Sequence, residues 1–471
     1  MHKPRLLIPI TIQFTVRYLV RSGLLVSLFK FCAPIVLLGW QDDLLRKELE
    51  NMGCEVYYLP KVKTGLKYSR LRKKIHLDHF DRIESCSTEI DRRRNFVSIN
   101  KIQQIRVRAR DVFYRAEIWI SGGYYALFRQ EQKLLKQDTN FAEFQKLSEQ
   151  IKPDALFCLT PYFIEEEFLV RAISEMSIRQ CAAILSFDNL TTRPRIPVLF
   201  DRYLLWNEYN RQELLRIYPD VNPQNIELVG SPQFDFYYDS SYLWDEITWR
   251  NRLGLPIERP VILFGAGPDT IAPVEPQIVA QLDDAIEQNQ FPNKPIILLR
   301  LHPVDTPARW ESLRQSAKHV IFDLPWQLGK EIVGKTNVSR YDIEKLVSTL
   351  KHSQVHINTS STMTIDGAIF DRPQIGPAYD DRQEKKYDRA MRELYLREHY
   401  LPITNSGGLQ IAYSFGQLKE YINEAFQTPE RYSEERKEMV RALCTYDDGK
   451  SKQRVLNAIE NFLNEGRLHS V

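Results

Sequence analysis

Residues 355–366 read Val355-His356-Ile357-Asn358-Thr359-Ser360-Ser361-Thr362-Met363-Thr364-Ile365-Asp366. A short apolar run gives way to a cluster of hydroxyl residues, and an apolar helical pattern begins directly after it. This is a strand whose carboxyl end turns into a helix. The first turn of a helix leaves backbone N–H groups without partners and carries the positive end of the dipole, so it suits a phosphate. Ser360, Ser361 and Thr362 add hydroxyl donors. Asp366, one turn into the helix, is placed to accept hydrogen bonds from a sugar or a ribose.

The same rhythm extends to either side. Apolar strands are expected at Val261–Phe264, Ile296–Leu301, Val320–Asp323 and Gln374–Ile375, with helices at Glu275–Asn289, Asp342–Lys351 and Met363–Phe370. The first half repeats it, with strands at Leu6–Ile12, Ile35–Leu38, Val56–Leu59, Ala155–Leu159, Ala182–Phe187, Tyr203–Trp206 and Ile226–Val229. Continuous apolar strands separated by helices indicate parallel sheets covered on both faces. Two such blocks in 471 residues predict an α/β protein of two Rossmann-like domains facing a cleft. The boundaries fall at 1–245 and 246–428, followed by a charged helical tail at 429–471. Residues 61–150 break the rhythm; they are polar, basic and helical, and are expected to form an insertion in the first domain.

Composition narrows the class. Hydrophobic residues make up 43% and charged residues 27%, a globular balance, and the formal net charge is only +3. Nucleic acid is therefore not an expected partner. Locally, residues 61–110 hold 15 Lys or Arg against 5 Asp or Glu, which points to a solvated helical surface or to an anionic partner: a phospholipid bilayer, a polyprenyl-phosphate-linked sugar or a charged polymer. Six dispersed cysteines with no Cys-x-x-Cys pair fit a reducing compartment. The apolar stretch Phe14–Leu38 is interrupted by Arg17, Arg21, Lys30 and Pro34 and is too short to span a bilayer. One helix, Phe14–Phe31, is expected there. The expected location is cytoplasmic, extending to peripheral attachment at the inner face of the plasma membrane.

Ligands of open parallel sheets sit at the carboxyl ends of the strands. Three such ends in the second domain carry suitable groups. Gly265-Ala266-Gly267 permits close backbone approach, Arg300-Leu301-His302-Pro303 brings a guanidinium and an imidazole, and Ser360-Ser361-Thr362 brings hydroxyls. The chain has no Asp-x-Asp, so leaving-group charge is expected to be met by the helix dipole, N–H donors, His302 and Arg300, with no metal and no cofactor. An inverting transfer needs a base for the acceptor hydroxyl. The candidates are Asp188, the trio Glu165-Glu166-Glu167 and His399; the trio equally suits a first helical turn for electrostatic reasons alone.

Arg300-Leu301-His302-Pro303, followed by Asn358-Thr359-Ser360-Ser361-Thr362 and the run to Pro373, resembles the donor half of GT-B glycosyltransferases. The likeness is to surface-polysaccharide enzymes and their CDP-glycerol glycerophosphotransferase relatives. Glu398-His399-Tyr400-Leu401-Pro402, Ser406-Gly407-Gly408 and Asp448-Gly449-Lys450 also look like elements of that group, so the resemblance covers roughly Val261 to Leu463. It implies that the tail at 429–471 returns to the first domain. It also implies that His302 and Ser360 to Thr362 contact donor phosphates, with Asp366 near the sugar or ribose. The expected function is metal-independent sugar transfer from a nucleotide sugar to a lipid-linked or polymeric envelope glycan. Glycerophosphate transfer from CDP-glycerol, a nucleotide-sugar epimerase of the same fold, and an inactive scaffold stand as alternatives.

Overall fold

The computed structural model describes residues 3–325, 338–380 and 391–468. They form two compact units, Met1–Ser231 with Ser451–Val471, and Pro232–Lys450.

The first unit contains β1 (Arg5–Ile10), β2 (Ala33–Leu38), β3 (Glu55–Tyr58), β4 (Ala155–Cys158), β5 (Arg179–Ala183), β6 (Arg202–Leu205) and β7 (Ile226–Leu228). They make one parallel sheet in the order β3-β2-β1-β4-β5-β6-β7. Side chains alternate between faces along a strand, and here both faces are buried. Leu6, Ile8 and Ile10 of β1 pack with Leu24, Leu28 and, from the C-terminal helix Ser451–Leu468, Val455, Ile459 and Phe462. Leu7 and Leu156 face the other way, into Phe141, Phe144 and Phe168. Parallel strands covered on both sides must read as unbroken apolar runs, which is how they are written.

The second unit contains β8 (Val261–Gly265), β9 (Ile296–Arg300), β10 (Val320–Asp323), β11 (Val355–Asn358), β12 (Gln374–Pro377) and β13 (Leu409–Ala412), ordered β10-β9-β8-β11-β12-β13 and parallel. The order reverses between β8 and β11, on the two sides of which the connections run in opposite directions.

Several local expectations differ from the structure. The single helix at Phe14–Phe31 is three short pieces, Gln13–Val16, Arg17–Arg21 and Leu24–Leu28. Gly23, at φ +72, occupies the left-handed region and interrupts the ladder. Residues 232–245 join the second unit, not the first. Trp244 holds them there, its amide donating to Ser348 Oγ (2.9 Å) and its indole to Glu344 (3.0 Å). The helix Ser433–Cys444 also stays in the second unit, where Arg436 donates to Asp371 (2.7 Å) and to the carbonyls of Arg431 and Pro429. Of the tail, only the final helix joins the first unit. The segment 61–150 is helical, in five helices from Leu66–Arg82 to Thr139–Ile151.

Candidate functional site

The sheet register of the second unit sets the geometry. Asp323, Arg300, Gly265 and Asn358 stand in one row across β10, β9, β8 and β11. Three loops therefore leave the sheet at the same height, and two residues beyond the row lie His302, Gly267 and Ser360. Parallel strands are spaced about 4.8 Å apart, so the outer two of these loops start about 10 Å from each other.

A buried polar network braces the three loops. Glu275, the first residue of the helix Glu275–Glu287, is fully buried. Its carboxyl accepts the Gly267 amide (2.9 Å) from the β8 loop, and the Thr359 side chain of the β11 loop lies near enough to favour its ionised form. Arg309, beyond β9, lies 3.4 Å from Glu275 Oε2. The same guanidinium donates to the Gly267 carbonyl (2.8 Å) and to Asp305 (2.8 Å), and Asp305 also takes the Trp310 indole N–H (2.8 Å). One cation is thus shared by two buried carboxylates. Burial pushes the Glu275 carboxyl up to about 8, against the opposing pull of Arg309. No pattern in the sequence marked Glu275, Asp305 or Arg309; an acidic residue just before Pro276 at a helix start was the one available signal.

His302 is half-buried beside this network. Burial lowers its imidazole to about 4, with Asp305 opposing and Arg309 reinforcing the shift. The Val304 amide donates to Nδ1 (3.2 Å), which assigns the ring proton of the neutral form to Nε2. His302 is therefore a neutral hydrogen-bond donor at pH 7.

Ser360, Ser361 and Thr362 are half-buried at the carboxyl end of β11. Ser360 has φ +46, a left-handed turn that swings the loop toward the helix Met363–Ile369. Its hydroxyl donates to the Leu394 carbonyl (2.9 Å). Ser361 Oγ accepts the Met363 amide (3.2 Å), and its own amide reaches Asn358 Oδ1 (3.3 Å). Two tyrosines support the loop from beneath. Tyr400 shares a hydrogen bond with Thr364 (2.9 Å), and Tyr395 donates to the Pro377 carbonyl (3.0 Å). His399, buried next to Tyr400, belongs to this supporting segment.

Four expectations need correction. Arg300 is buried in an ion pair with Asp323, which Lys345 also approaches (2.6 Å). Its guanidinium crosses to the neighbouring strand, because Asp323 lies opposite it in the register, and so it is an internal tie. Asp366 accepts the Tyr237 hydroxyl (2.9 Å) and is 7% exposed, so its carboxylate faces protein. Gly265 and Gly267 do not offer a bare backbone cradle. A Cβ on Gly265 would meet Met363 Sδ at 2.6 Å, and the amides of Ala266 and Gly267 are taken by the Arg300 carbonyl and Glu275. Two of the glutamate trio in the first unit, Glu166 and Glu167, are structural. Glu166 is fully buried and accepts from the Thr160 amide (3.0 Å), Cys158 Sγ (2.9 Å) and the Thr11 hydroxyl, tying the ends of β1 and β4. Burial raises its carboxyl. Glu167 is paired with Arg72 (3.0 Å) and accepts from Tyr68 (3.1 Å).

Asp188 lies past β5, half-buried. Its carboxylate takes the Ser186 hydroxyl, Asn189 Nδ2 (3.3 Å) and Thr192 Oγ1 (3.3 Å). Asn189 in turn pairs with Tyr162 from the β4 loop. The two units repeat one device: a buried glutamate in the first turns of a helix (Glu166, Glu275) accepts an amide from the preceding strand-to-helix loop.

Two parallel sheets interleaved with helices define a GT-B protein. Solved structures agree. The UDP-GlcNAc 2-epimerase of Neisseria meningitidis, bound to UDP-GlcNAc, aligns over 97% of this chain and 100% of its own at 12% identity, TM-score 0.56. An S. aureus MnaA structure with UDP aligns over 98% and 97% at 12% identity, TM-score 0.57. A glycosyltransferase of Rickettsia africae aligns over 98% and 99% at 12% identity, TM-score 0.52. At such identities the likeness is one of fold. The chain belongs to the CDP-glycerol:poly(glycerophosphate) glycerophosphotransferase family, whose model matches residues 199–461, more than half of its length. No curated protein matches it. The family is one of transferases, and the resemblance first seen in Arg300–Pro303 and Asn358–Pro373 is to this group.

Proposed function

We propose that this protein transfers a glycerol-phosphate unit, or a closely related polyol phosphate, from a cytidine-diphosphate-activated donor to a hydroxyl of an envelope polymer or its lipid-linked precursor, at an anionic membrane face. The observation that carries the reading is the register row, which starts the β8, β9 and β11 loops at one height around the half-buried hydroxyls of Ser361 and Thr362. Family membership favours phosphoryl transfer over the sugar transfer expected from the sequence alone.

The acceptor oxygen bonds to the phosphorus that carries the glycerol. The bridging P–O bond of the diphosphate breaks, and CMP leaves with the electron pair. The acceptor proton passes to a base, for which we propose His399, in the same unit as the hydroxyl loop. Thr362 and Ser361 hold the phosphates at the start of the Met363–Ile369 helix. His302, a neutral Nε2–H donor, stabilises the negative charge that develops on the leaving phosphate; preorganised donors of this kind act without reorganising during the reaction. The buried Glu275–Arg309–Asp305 network fixes the loops that carry these groups. No metal and no cofactor form part of the proposal.

The test is a thermal-shift and turnover screen with CDP-glycerol, CDP-ribitol, UDP-GlcNAc and a GDP-sugar, since a ligand of the folded state raises its melting temperature. Stabilisation by a CDP-polyol with release of CMP is expected. A shift with UDP- or GDP-sugars alone replaces this reading by sugar transfer or epimerisation. No shift with any of the four points to a binding-inactive scaffold.

A further inference from the structure

The basic stretch at 61–110 does not present its charge to solvent as a single patch. Arg72 is tied to Glu167, Arg70 (2.7 Å) and Lys74 (3.0 Å) share Glu117, and Arg82 (2.8 Å) and Arg92 (2.8 Å) pair with Asp78 and Asp81. Arg70, Lys74 and Arg92 thereby join inserted helices to one another, Arg72 ties the insertion to the helix Ile164–Glu175, and Arg82 pairs within its own helix. The helix Lys101–Ile120 is different. Of its twenty residues only Ile118 is buried. Its inward side, through Gln104, Val107, Asp111 and Tyr114, is half-covered.

Its outward side is apolar and continuous. Ile102, Ile105, Ala109, Val112, Ala116 and Trp119 are all exposed and recur at spacings of three and four, which aligns them in one stripe along a helix. Phe113 and Ile120 widen it. Trp119 is 83% and Ile120 76% exposed. Isolated exposed apolar residues are ordinary, but a stripe five turns long is a binding surface. Cations line both borders: Lys101, Arg108 and Arg115 on one, Arg106 and Arg110 on the other, all exposed. Three have partners within the protein: Arg115 reaches Asp81 of the helix Leu66–Arg82 (2.7 Å), Arg110 its neighbour Asp111 (2.7 Å), and Arg108 lies over the Phe96 ring (4.7 Å).

The border charges decide the occupant. The stripe has the three-four spacing of a coiled-coil seam, so a second copy could in principle cover it. Pairing two such helices would set Lys101, Arg108 and Arg115 beside the like residues of the partner helix, and like charges at those flanking positions oppose association. An apolar stripe between two rows of cations, ending in an exposed tryptophan, instead complements an anionic lipid surface, with the apolar side chains among the acyl chains and the cations at the headgroups. We infer that the Lys101–Ile120 helix lies in the plane of an anionic phospholipid bilayer and is the membrane-docking element of this protein. The inference deepens the membrane-face part of the proposed function and moves the contact from the basic stretch as a whole to this one helix.

The experiment is co-sedimentation of the full chain with vesicles of phosphatidylcholine containing phosphatidylglycerol, and with pure phosphatidylcholine. The wild type is expected to bind the anionic vesicles and to lose binding as salt rises. Ile105→Asp/Val112→Asp/Ile120→Asp and, separately, Lys101→Glu/Arg106→Glu/Arg108→Glu should each lower the partition coefficient at least tenfold. The melting temperature of the aspartate variant should stay unchanged, because Ile105, Val112 and Ile120 are exposed, and that of the glutamate variant should fall only slightly, since Arg108 also lies over the Phe96 ring (4.7 Å). Wild-type binding by both variants overturns the assignment to this helix. A wild type that binds neither vesicle overturns the membrane reading itself. A concentration-dependent oligomer dissolved by the aspartate variant makes a second copy the occupant. CMP release on a water-soluble acceptor, measured in parallel, reports the transfer reading independently of all three.

Discussion

The Glu275 carboxyl carries the sharpest prediction. It is fully buried, with Arg309 at 3.4 Å, and Arg309 is already matched by Asp305 at 2.8 Å. Burial, only partly opposed by Arg309, pushes the Glu275 carboxyl up to about 8, so it holds its proton at neutral pH. A carboxyl held protonated in the folded state while the unfolded chain ionises it stabilises less as pH rises. Its contribution is complete below the ordinary carboxylate value, near 4.5, and is lost as pH climbs to about 8. At about 1.4 kcal/mol per pH unit, the interval from pH 6 to pH 8 removes about 3 kcal/mol. Glu275→Gln keeps the shape and the acceptor for the Gly267 amide but does not titrate. Urea denaturation of wild type and variant at pH 6 and pH 9 should show the wild type losing about 3 kcal/mol more than the variant. A constant difference between the two proteins at both pH values would mean that Glu275 is ionised throughout, as the partner of Arg309, and the proton assignment would be refuted.

Three further outcomes follow from the same contacts. His302→Ala removes the Nε2–H donor and should lower kcat roughly a hundredfold with little change in donor KM or melting temperature; wild-type turnover would remove His302 from the site. Arg300→Ala leaves Asp323 buried with only Lys345 beside it and should destabilise by about 3 kcal/mol, while donor affinity in the residual folded protein stays near wild type. A large loss of affinity without loss of stability would restore Arg300 as a ligand. Gly367→Ala places a Cβ 2.2 Å from both His356 Nδ1 and Gln374 Nε2, which are buried and cannot yield. Overpacking of this kind should cost about 1–3 kcal/mol, read from the denaturation midpoint. An unchanged midpoint would show that the Met363–Ile369 helix does not sit against β11 and β12 as described.

The linear chain determined a good deal about this protein by itself. Doubly covered parallel strands must be apolar at every position, so runs such as Val261–Phe264 and Ile296–Leu299 declare themselves, and with them the two Rossmann-like sheets. The strand-to-hydroxyl-to-helix transition at 355–366 is equally local, as is the likeness to the family that matches residues 199–461. What only the tertiary structure decided is which charged groups are already partnered. Arg300 and Asp323 are 23 residues apart, Glu275 and Arg309 34, and Tyr237 and Asp366 129, and no periodicity records that they meet. A buried charge is stable only beside its counter-charge, and that neighbour is set by strand order and register. The same holds for the basic insertion. Its cations look alike in sequence, and only the packing of the helices shows which of them flank the exposed apolar stripe on Lys101–Ile120.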